Sequence, residues 1–221
     1  KNNLHEIQSY FCLVNLTDKI KLKKIKKKRD KISFKGPFAK LIKKSNNSVT
    51  NLLKMLRRSG LISDYYSVTI FKNIPVFAGL GGGTGNAAAI LKHLCKQKMN
   101  RTILNQVEKA IGSDLRLFFY NQGFLKNLQT IIDFKRKQKL FFVLIQPNIK
   151  CSTKEIYSNV KKFSKKKLFK KDVIKNKLRF ISYLSKSSND LQSIVEKKYP
   201  KIKELLKNIL KENGCCFSRM T

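Results

Sequence analysis

The sequence predicts an α+β fold, and three observations lead there. Stretches with strand composition and stretches with helical period both recur along the 221 residues, without the strict alternation that a doubly wound sheet requires. Five of the ten glycines fall in one seven-residue window, between a strand pattern and a helix pattern. Composition shifts at FKRKQK, Phe134–Lys139, which sets the expected domains at residues 1–137 and 138–221.

Each element has a local reason. Residues 7–26 carry short apolar stretches that predict a strand pair running into the basic stretch Lys23–Lys31. Asn46 or Asn47 can cap a helix over NLLKMLRRSG, with Leu52, Leu53 and Leu56 on one face and Gly60 ending it. SVTIFKNIP reads as a strand stopped by Pro75. Beyond the glycines, NAAAILKHLCKQK predicts a helix opening at Asn86, and ILNQVEKAIG predicts another ending at Gly112. LFFVLIQP is β-rich and predicts a strand closed by Pro147. The lysine-dense segment Lys161–Lys177 reads as surface helix or loop, and NDLQSIVEKKYPKIKELLKNILKENG as two helices broken at Pro200 and closed by Gly214.

Composition narrows the class. The longest apolar run, Leu140–Ile145, has strand length, and roughly 20 residues are needed to span a bilayer, so no membrane association is expected. Five cysteines without CxxC pairs or nearby histidines read as reduced thiols in a cytoplasmic protein rather than a disulfide framework or a zinc site. A net charge of +36 is the electrostatic footprint of a polyanion binder, and a basic RNA-binding protein is the alternative from another class. Lysine outnumbers arginine 41 to 8, however, whereas bidentate recognition of phosphates and bases favours arginine. The chain is also rich in Asn and Ile and poor in Ala and Gly, as an AT-rich coding sequence would dictate. The lysines therefore read as a solvated coat, and no nucleic-acid partner is expected.

The segment PVFAGLGGGTGNAAA, Pro75–Ala89, stands above composition. Without Cβ atoms, Gly79, Gly81, Gly82, Gly83 and Gly85 let the backbone approach an anion closely and turn successive N–H groups inward. The helix start that follows adds free N–H donors and a positive dipole at the same place. Such a loop cradles phosphate. A Walker A loop is excluded because no GK[ST] follows, and a dinucleotide fingerprint would need an acidic residue ending a second strand, whereas Glu108 lies in a helical pattern.

Pro75-x-x-x-Gly79-Leu80-Gly81-Gly82-Gly83-Thr84-Gly85-Asn86-Ala87-Ala88 resembles the second motif of the GHMP kinase family, in the version P-x-x-x-GLGGGSSNAA. Further segments are similar to that branch in the same order. LHEIQSYF, Leu4–Phe11, resembles GYHxLxSxF, and GSDLRLFF, Gly112–Phe119, resembles GADVPFF. Ser188–Leu206 resembles the NDLE helix region, and Ser218–Thr221 the start of R-M-[ST]-G-S-G. The resemblance implies a two-domain GHMP kinase fold, with a ribosomal-protein-S5-like N-terminal domain, a ferredoxin-like C-terminal domain and the active site between them. It implies ATP and Mg²⁺, and transfer of a phosphoryl group to the 2-hydroxyl of a methyl-erythritol carried on cytidine diphosphate. Another kinase of the family, of homoserine or mevalonate type, is the alternative within it; the GLGGG run and His5 speak against that one. A homodimer is compatible with either.

The same resemblance gives the residues their roles. Asp114 matches the catalytic carboxylate; Pro75 and Gly79–Asn86 match the ATP-binding loop; Asn47 matches a residue near the adenine, although an N-cap explains it equally well. His5 matches a histidine reading cytosine, Tyr157 an aromatic stacking on it, and Phe11 belongs to the same substrate-binding stretch. Thr84 is the hydroxyl available to Mg²⁺, since Gly85 replaces the second serine of the family loop. Lys72 adds a charge just before the loop. Leu4 stands where the family has a tyrosine, and Arg116 where it has a proline. The family's first motif, P-A-K-[IL]-N, would lie upstream of Lys1, and the last motif is cut at Thr221. The expectation is a fold incomplete at both ends, and a 1–221 chain without kinase activity.

Overall fold

The computed structural model describes residues 7–43, 45–95, 98–149, 151, 153–160, 163–164 and 169–221. The chain divides into two compact units, Lys1–Asp133 and Phe134–Thr221, four residues before the boundary set from composition.

In the first unit, strands β2 (Lys19–Ile25), β3 (Lys31–Lys35) and β4 (Tyr65–Phe71) form a sheet of order β2-β4-β3. β2 runs antiparallel to the central β4, with Lys19 opposite Phe71, and β3 runs parallel to it. β1 (Ser9–Cys12) does not pair with β2 as residues 7–26 suggested. It joins β5 (Gln122–Asn127) and β6 (Thr130–Asp133) in a second antiparallel sheet of order β1-β5-β6. The β5–β6 hairpin lay outside the sequence reading. The alternating pattern in residues 7–26 says that two strands exist, but their partners are 40 or more residues away and leave no local trace.

Three helices cover the first sheet. Helix α1 (Ser48–Arg58) starts where Asn47 accepts hydrogen bonds from Val49 N (3.1 Å) and Thr50 N (3.0 Å). It ends through Gly60, whose φ of 68° takes the left-handed turn that a glycine adopts freely. Leu52, Leu53 and Leu56 are fully buried, as their spacing required. Helices α2 (Gly82–Cys95) and α3 (Arg101–Ile111) add Ala87, Ala88, Ile90, Leu91 and Val107 to the same core. Val68 and Ile70 of β4 supply its floor, so the central strand is held by this core on one face and by β2 and β3 along its two edges.

The second unit comprises α4 (Thr153–Ser158), α5 (Lys177–Ser185), α6 (Gln192–Lys198) and α7 (Pro200–Lys211). Its core holds Phe134, Ile156, Phe180 and Val195, with the Phe134 ring 5.9 Å from those of Phe169 and Phe180. Pro200 opens α7 at its first turn, as the break between two helices implied. The strand expected over LFFVLIQP is absent: no regular element is assigned between Phe134 and Pro147, and Phe141 and Val143 are 80% and 85% exposed. Strand propensity is realised only against a ladder partner, and among the described residues this segment has none. The tail is fastened, with Asn189 donating to Met220 O (3.0 Å) and Ser218 Oγ to Leu206 O (2.6 Å).

Candidate functional site

β4 delivers the chain to the glycine loop. After Phe71 the backbone passes through three left-handed residues, Phe77 (φ 62°), Gly79 (φ 70°) and Gly81 (φ 62°), and enters α2 at Gly82. The helix thus begins four residues before the Asn86 start read from sequence. Gly85 N donates to Gly81 O at 2.8 Å, which closes the first helical turn. The N–H groups of Gly82, Gly83 and Thr84 then have no acceptor within the helix, and the dipole favours negative charge beside them. Such a helix start is suited to bind an anion through main chain alone.

The glycines are packed from all sides. A Cβ on Gly82 would stand 3.0 Å from Ile74 Cγ2 and 3.2 Å from Lys72 Nζ; one on Gly83 would stand 3.2 Å from Ser48 Oγ. Cβ atoms on Gly81 and Gly85 would meet the Phe118 ring at 2.9 and 2.8 Å. Phe118 therefore explains why Gly85 lacks a side chain here. The Ser48 contact also brings the N-terminus of α1, and with it Asn47, against the first turn of α2. Asn47 acts as the N-cap, and its Nδ2 donates to Lys43 O (3.1 Å).

Phe118 belongs to the 3₁₀ turn Ser113–Phe119, whose N-terminal end carries Asp114. Lys92 of α2 donates to Phe118 O (2.6 Å), so the turn is fixed to the glycine helix by ring packing and by a hydrogen bond. Asp114 itself is exposed and has no hydrogen bond or ion pair among the described residues. Lost hydration around its carboxyl raises its pKa above the usual carboxylate range. A solvent-reaching carboxylate whose charged form is disfavoured is suited to accept a proton.

Arg116 takes the place of the family's proline in this turn. It is 8% exposed and fully engaged. Nε and Nη2 donate to the Glu108 carboxylate at 2.7 and 2.6 Å, Nη2 also to Asn105 Oδ1 at 2.9 Å, and Nη1 to Gln129 O at 2.5 Å. Glu108 is thereby accounted for as an ion-pair partner on α3. Truncating one member of such a buried pair strands the other, so Arg116→Ala should destabilise the fold by about 3 kcal/mol. A loss below about 1 kcal/mol in denaturant unfolding would contradict that.

One buried group escaped the sequence reading. Asp18, 1% exposed, immediately precedes β2 and faces the start of the glycine loop. Its Oδ2 is ion-paired with Lys72 Nζ and accepts from Asn86 Nδ2 at 2.8 Å. Its Oδ1 accepts from Asn73 N at 2.8 Å and Ile74 N at 2.9 Å. Burial pushes this carboxyl up, but the donors from Lys72, Ile74, Asn86 and Asn73 together hold it below the ordinary aspartate value. Its partners lie 54 to 68 residues downstream, and NLTDKIKL contains no motif that would announce them.

His5 lies outside the described residues. Phe11 sits in β1 opposite Gly123, where a Cβ would meet its ring at 3.1 Å, a packing role. Tyr157 is half-buried on α4 of the second unit. A groove of about 520 Å³ lined by Lys24–Lys28 and Ser63–Tyr65 opens at the other end of the β2–β4 ladder, roughly 20 Å of strand from the loop. No three His, Cys, Asp or Glu side chains gather as a metal site among the described residues. A Mg²⁺ arriving with nucleotide needs only one or two protein oxygens beside phosphate and water. Among the described residues no helix is long and apolar enough to cross a membrane, and the five cysteines are free.

Comparisons with known proteins converge on this region. The model of the GHMP kinases N terminal domain matches residues 47–118, which run from the α1 cap to Phe118. Over 210 residues the chain is 35% identical to a 4-diphosphocytidyl-2-C-methyl-D-erythritol kinase of Pelagibacter ubique, covering 93% of this chain and 73% of that protein. It is 30% identical over 212 residues to the protein of the same name from Buchnera aphidicola, covering 91% and 69%. Among solved structures, a 4-(cytidine 5'-diphospho)-2C-methyl-D-erythritol kinase superposes with a TM-score of 0.65 at 18% identity, over 95% of this chain and 75% of that one. A homoserine kinase from Cytophaga hutchinsonii follows with a TM-score of 0.50 at 13% identity, over 74% and 63%. These structural likenesses speak to the fold.

Proposed function

The chain belongs to the 4-diphosphocytidyl-2-C-methyl-D-erythritol kinase family of GHMP kinases, and we propose that its glycine loop and Asp114 form the two halves of that family's phosphotransfer site. It is a phosphotransferase with an alcohol acceptor, acting in isoprenoid precursor synthesis. The reaction moves the γ-phosphoryl group of ATP to the 2-hydroxyl of 4-diphosphocytidyl-2-C-methyl-D-erythritol.

One observation carries the assignment. Phe118 packs a carboxylate-bearing turn against a helix N-terminus whose main-chain donors are bare. Donors and carboxylate are thus fixed to one another before any ligand arrives, which is what phosphoryl transfer asks of a protein. Gly82, Gly83 and Thr84 bind the phosphates through N–H groups, with Pro75, Gly79, Leu80 and Gly81 shaping the approach. Asn47 borders the adenine. Asp114 orients the acceptor hydroxyl and takes its proton as the bond to phosphorus forms. Thr84 is the hydroxyl that would hold Mg²⁺, which would neutralise charge on the phosphate oxygens. His5 and Tyr157 are assigned to the cytosine, and Phe11 to the same substrate-binding stretch as His5. The first unit is assigned to the ribosomal-protein-S5-like domain and the second, whose described residues form helices and no strand, to the helical part of the ferredoxin-like domain.

The test is direct. With the full-length protein, ATP, Mg²⁺ and 4-diphosphocytidyl-2-C-methyl-D-erythritol, mass spectrometry should show the substrate gaining one phosphate, with stoichiometric ADP. Homoserine or mevalonate becoming phosphorylated in its place would overturn the substrate assignment. A pH profile adds a second check. The base must be ionised, so kcat should fall as pH drops through the raised pKa of Asp114, above the pH where an ordinary aspartate would act.

A further inference from the structure

Asp18 takes no part in the phosphotransfer chemistry, yet it carries the most heavily engaged carboxylate around the loop. Four donors converge on it, and they come from three places: the side chain of Lys72 and the main chain of Asn73 and Ile74 after β4, and the side chain of Asn86 in α2. Residues 75–85, the whole phosphate loop, are strung between those anchors. Lys72 is 3% exposed and Asn86 6%, so water cannot substitute for either partner. The same ion pair leaves Lys72 Nζ 3.2 Å from where a Gly82 Cβ would be, directly against the first donor of the cradle.

We propose that Asp18 is a positioning residue for nucleotide binding. Its carboxylate fixes the span between the end of β4 and the start of α2, and holds the Lys72 ammonium behind Gly82. This sets the spacing of the bare N–H groups and keeps a positive charge behind them. The inference rests on the glycine loop being the nucleotide cradle, and it concerns ATP affinity rather than chemistry at Asp114. A geometry so fixed needs no rearrangement when the phosphates bind, so a lost anchor should appear in affinity.

The experiment compares Asp18→Asn, Lys72→Met and the double variant, each by calorimetry with ATP, by steady-state kinetics with both substrates and by thermal unfolding. Asp18→Asn keeps an acceptor for the main-chain amides but releases Lys72. It should raise the Kd and KM for ATP at least tenfold, with the KM for the cytidine diphosphate substrate changed less than twofold. The double variant removes the stranded buried charge and should recover Tm while ATP affinity stays low. An ion pair serving only the fold would behave differently: the double variant would regain ATP affinity along with Tm, and that result overturns the proposal. Asn86→Ala, which deletes a single anchor, provides the readout should Asp18→Asn not fold; it should weaken ATP several-fold, and unchanged affinity counts against the proposal. Gly82→Val separates the two levels. If it leaves ATP affinity intact, the cradle reading itself fails; if it abolishes binding while Asp18→Asn does not weaken it, only the role of Asp18 fails.

Discussion

Asp114→Asn should lower kcat by about 10²-fold or more while ATP affinity stays within about threefold of the parent. The substitution is nearly isosteric, and among the described residues Asp114 has no hydrogen bond or ion pair to lose. The change therefore removes proton-accepting capacity and a negative charge, and little else. Two further readouts should move with it. The acid limb of the kcat profile should disappear, because no group then titrates at the reacting hydroxyl. Thermal stability should rise slightly near neutral pH. The sign follows from the raised pKa: the folded protein disfavours the charged carboxyl, so its ionisation at higher pH costs stability that an amide does not. Activity gained at a small cost in stability is common for functional residues. A kcat reduced less than several-fold would return Asp114 to the status of a turn residue.

The sequence made legible those parts of the site that rest on neighbouring residues. Asn47 caps α1, Gly60 ends it, and Leu52, Leu53 and Leu56 are buried, because capping and helical period are written within a dozen positions. The glycine cluster revealed the loop because glycine is otherwise scarce in this chain. What the sequence could not reveal depends on distant partners. α2 begins at Gly82 although three of its first four residues are glycines, poor helix formers; Ile74 at Gly82, Ser48 at Gly83 and the Phe118 ring at Gly85 leave little room for larger ones. Arg116, read as a departure from the family's proline, is a buried residue held by Glu108, Asn105 and Gln129. Asp18 is not legible in the sequence because one aspartate before a strand has no pattern of its own. In the other direction, Leu140–Ile145 has the composition of a strand but forms none, since composition cannot supply a ladder partner.

Gly82→Val should abolish ATP binding, weakening it by at least about 10²-fold. The new Cβ would stand 3.0 and 3.2 Å from Cγ2 and Cβ of Ile74, and 3.2 Å from Lys72 Nζ. Ile74 is fixed because its N–H is held by Asp18, and Lys72 because its ammonium is. Lys72 cannot retreat without breaking its ion pair, and Ile74 Cβ is tied to a backbone held by Asp18, so the two γ-methyls of valine press on the loop itself. Displacing Gly82 and Gly83 withdraws two N–H donors from an anion. Hydrogen bonds to charged groups contribute about 1.5–3 kcal/mol each, and every 1.4 kcal/mol is tenfold in affinity, so the loss of two reaches the stated magnitude. Overpacking alone would also lower stability by about 1–3 kcal/mol, so affinity must be measured per folded molecule, by calorimetry on protein shown to be native by circular dichroism. Gly60→Ala is the matched control. Gly60 has a φ of 68° with no atom within 4 Å of its absent Cβ, and it ends α1 at the opposite terminus from Asn47. That variant should lose about 1 kcal/mol of stability from backbone strain and none of its ATP affinity. Equal affinity losses in the two variants would mean that general loosening of the fold, and not occupation of the phosphate cradle, explains Gly82→Val.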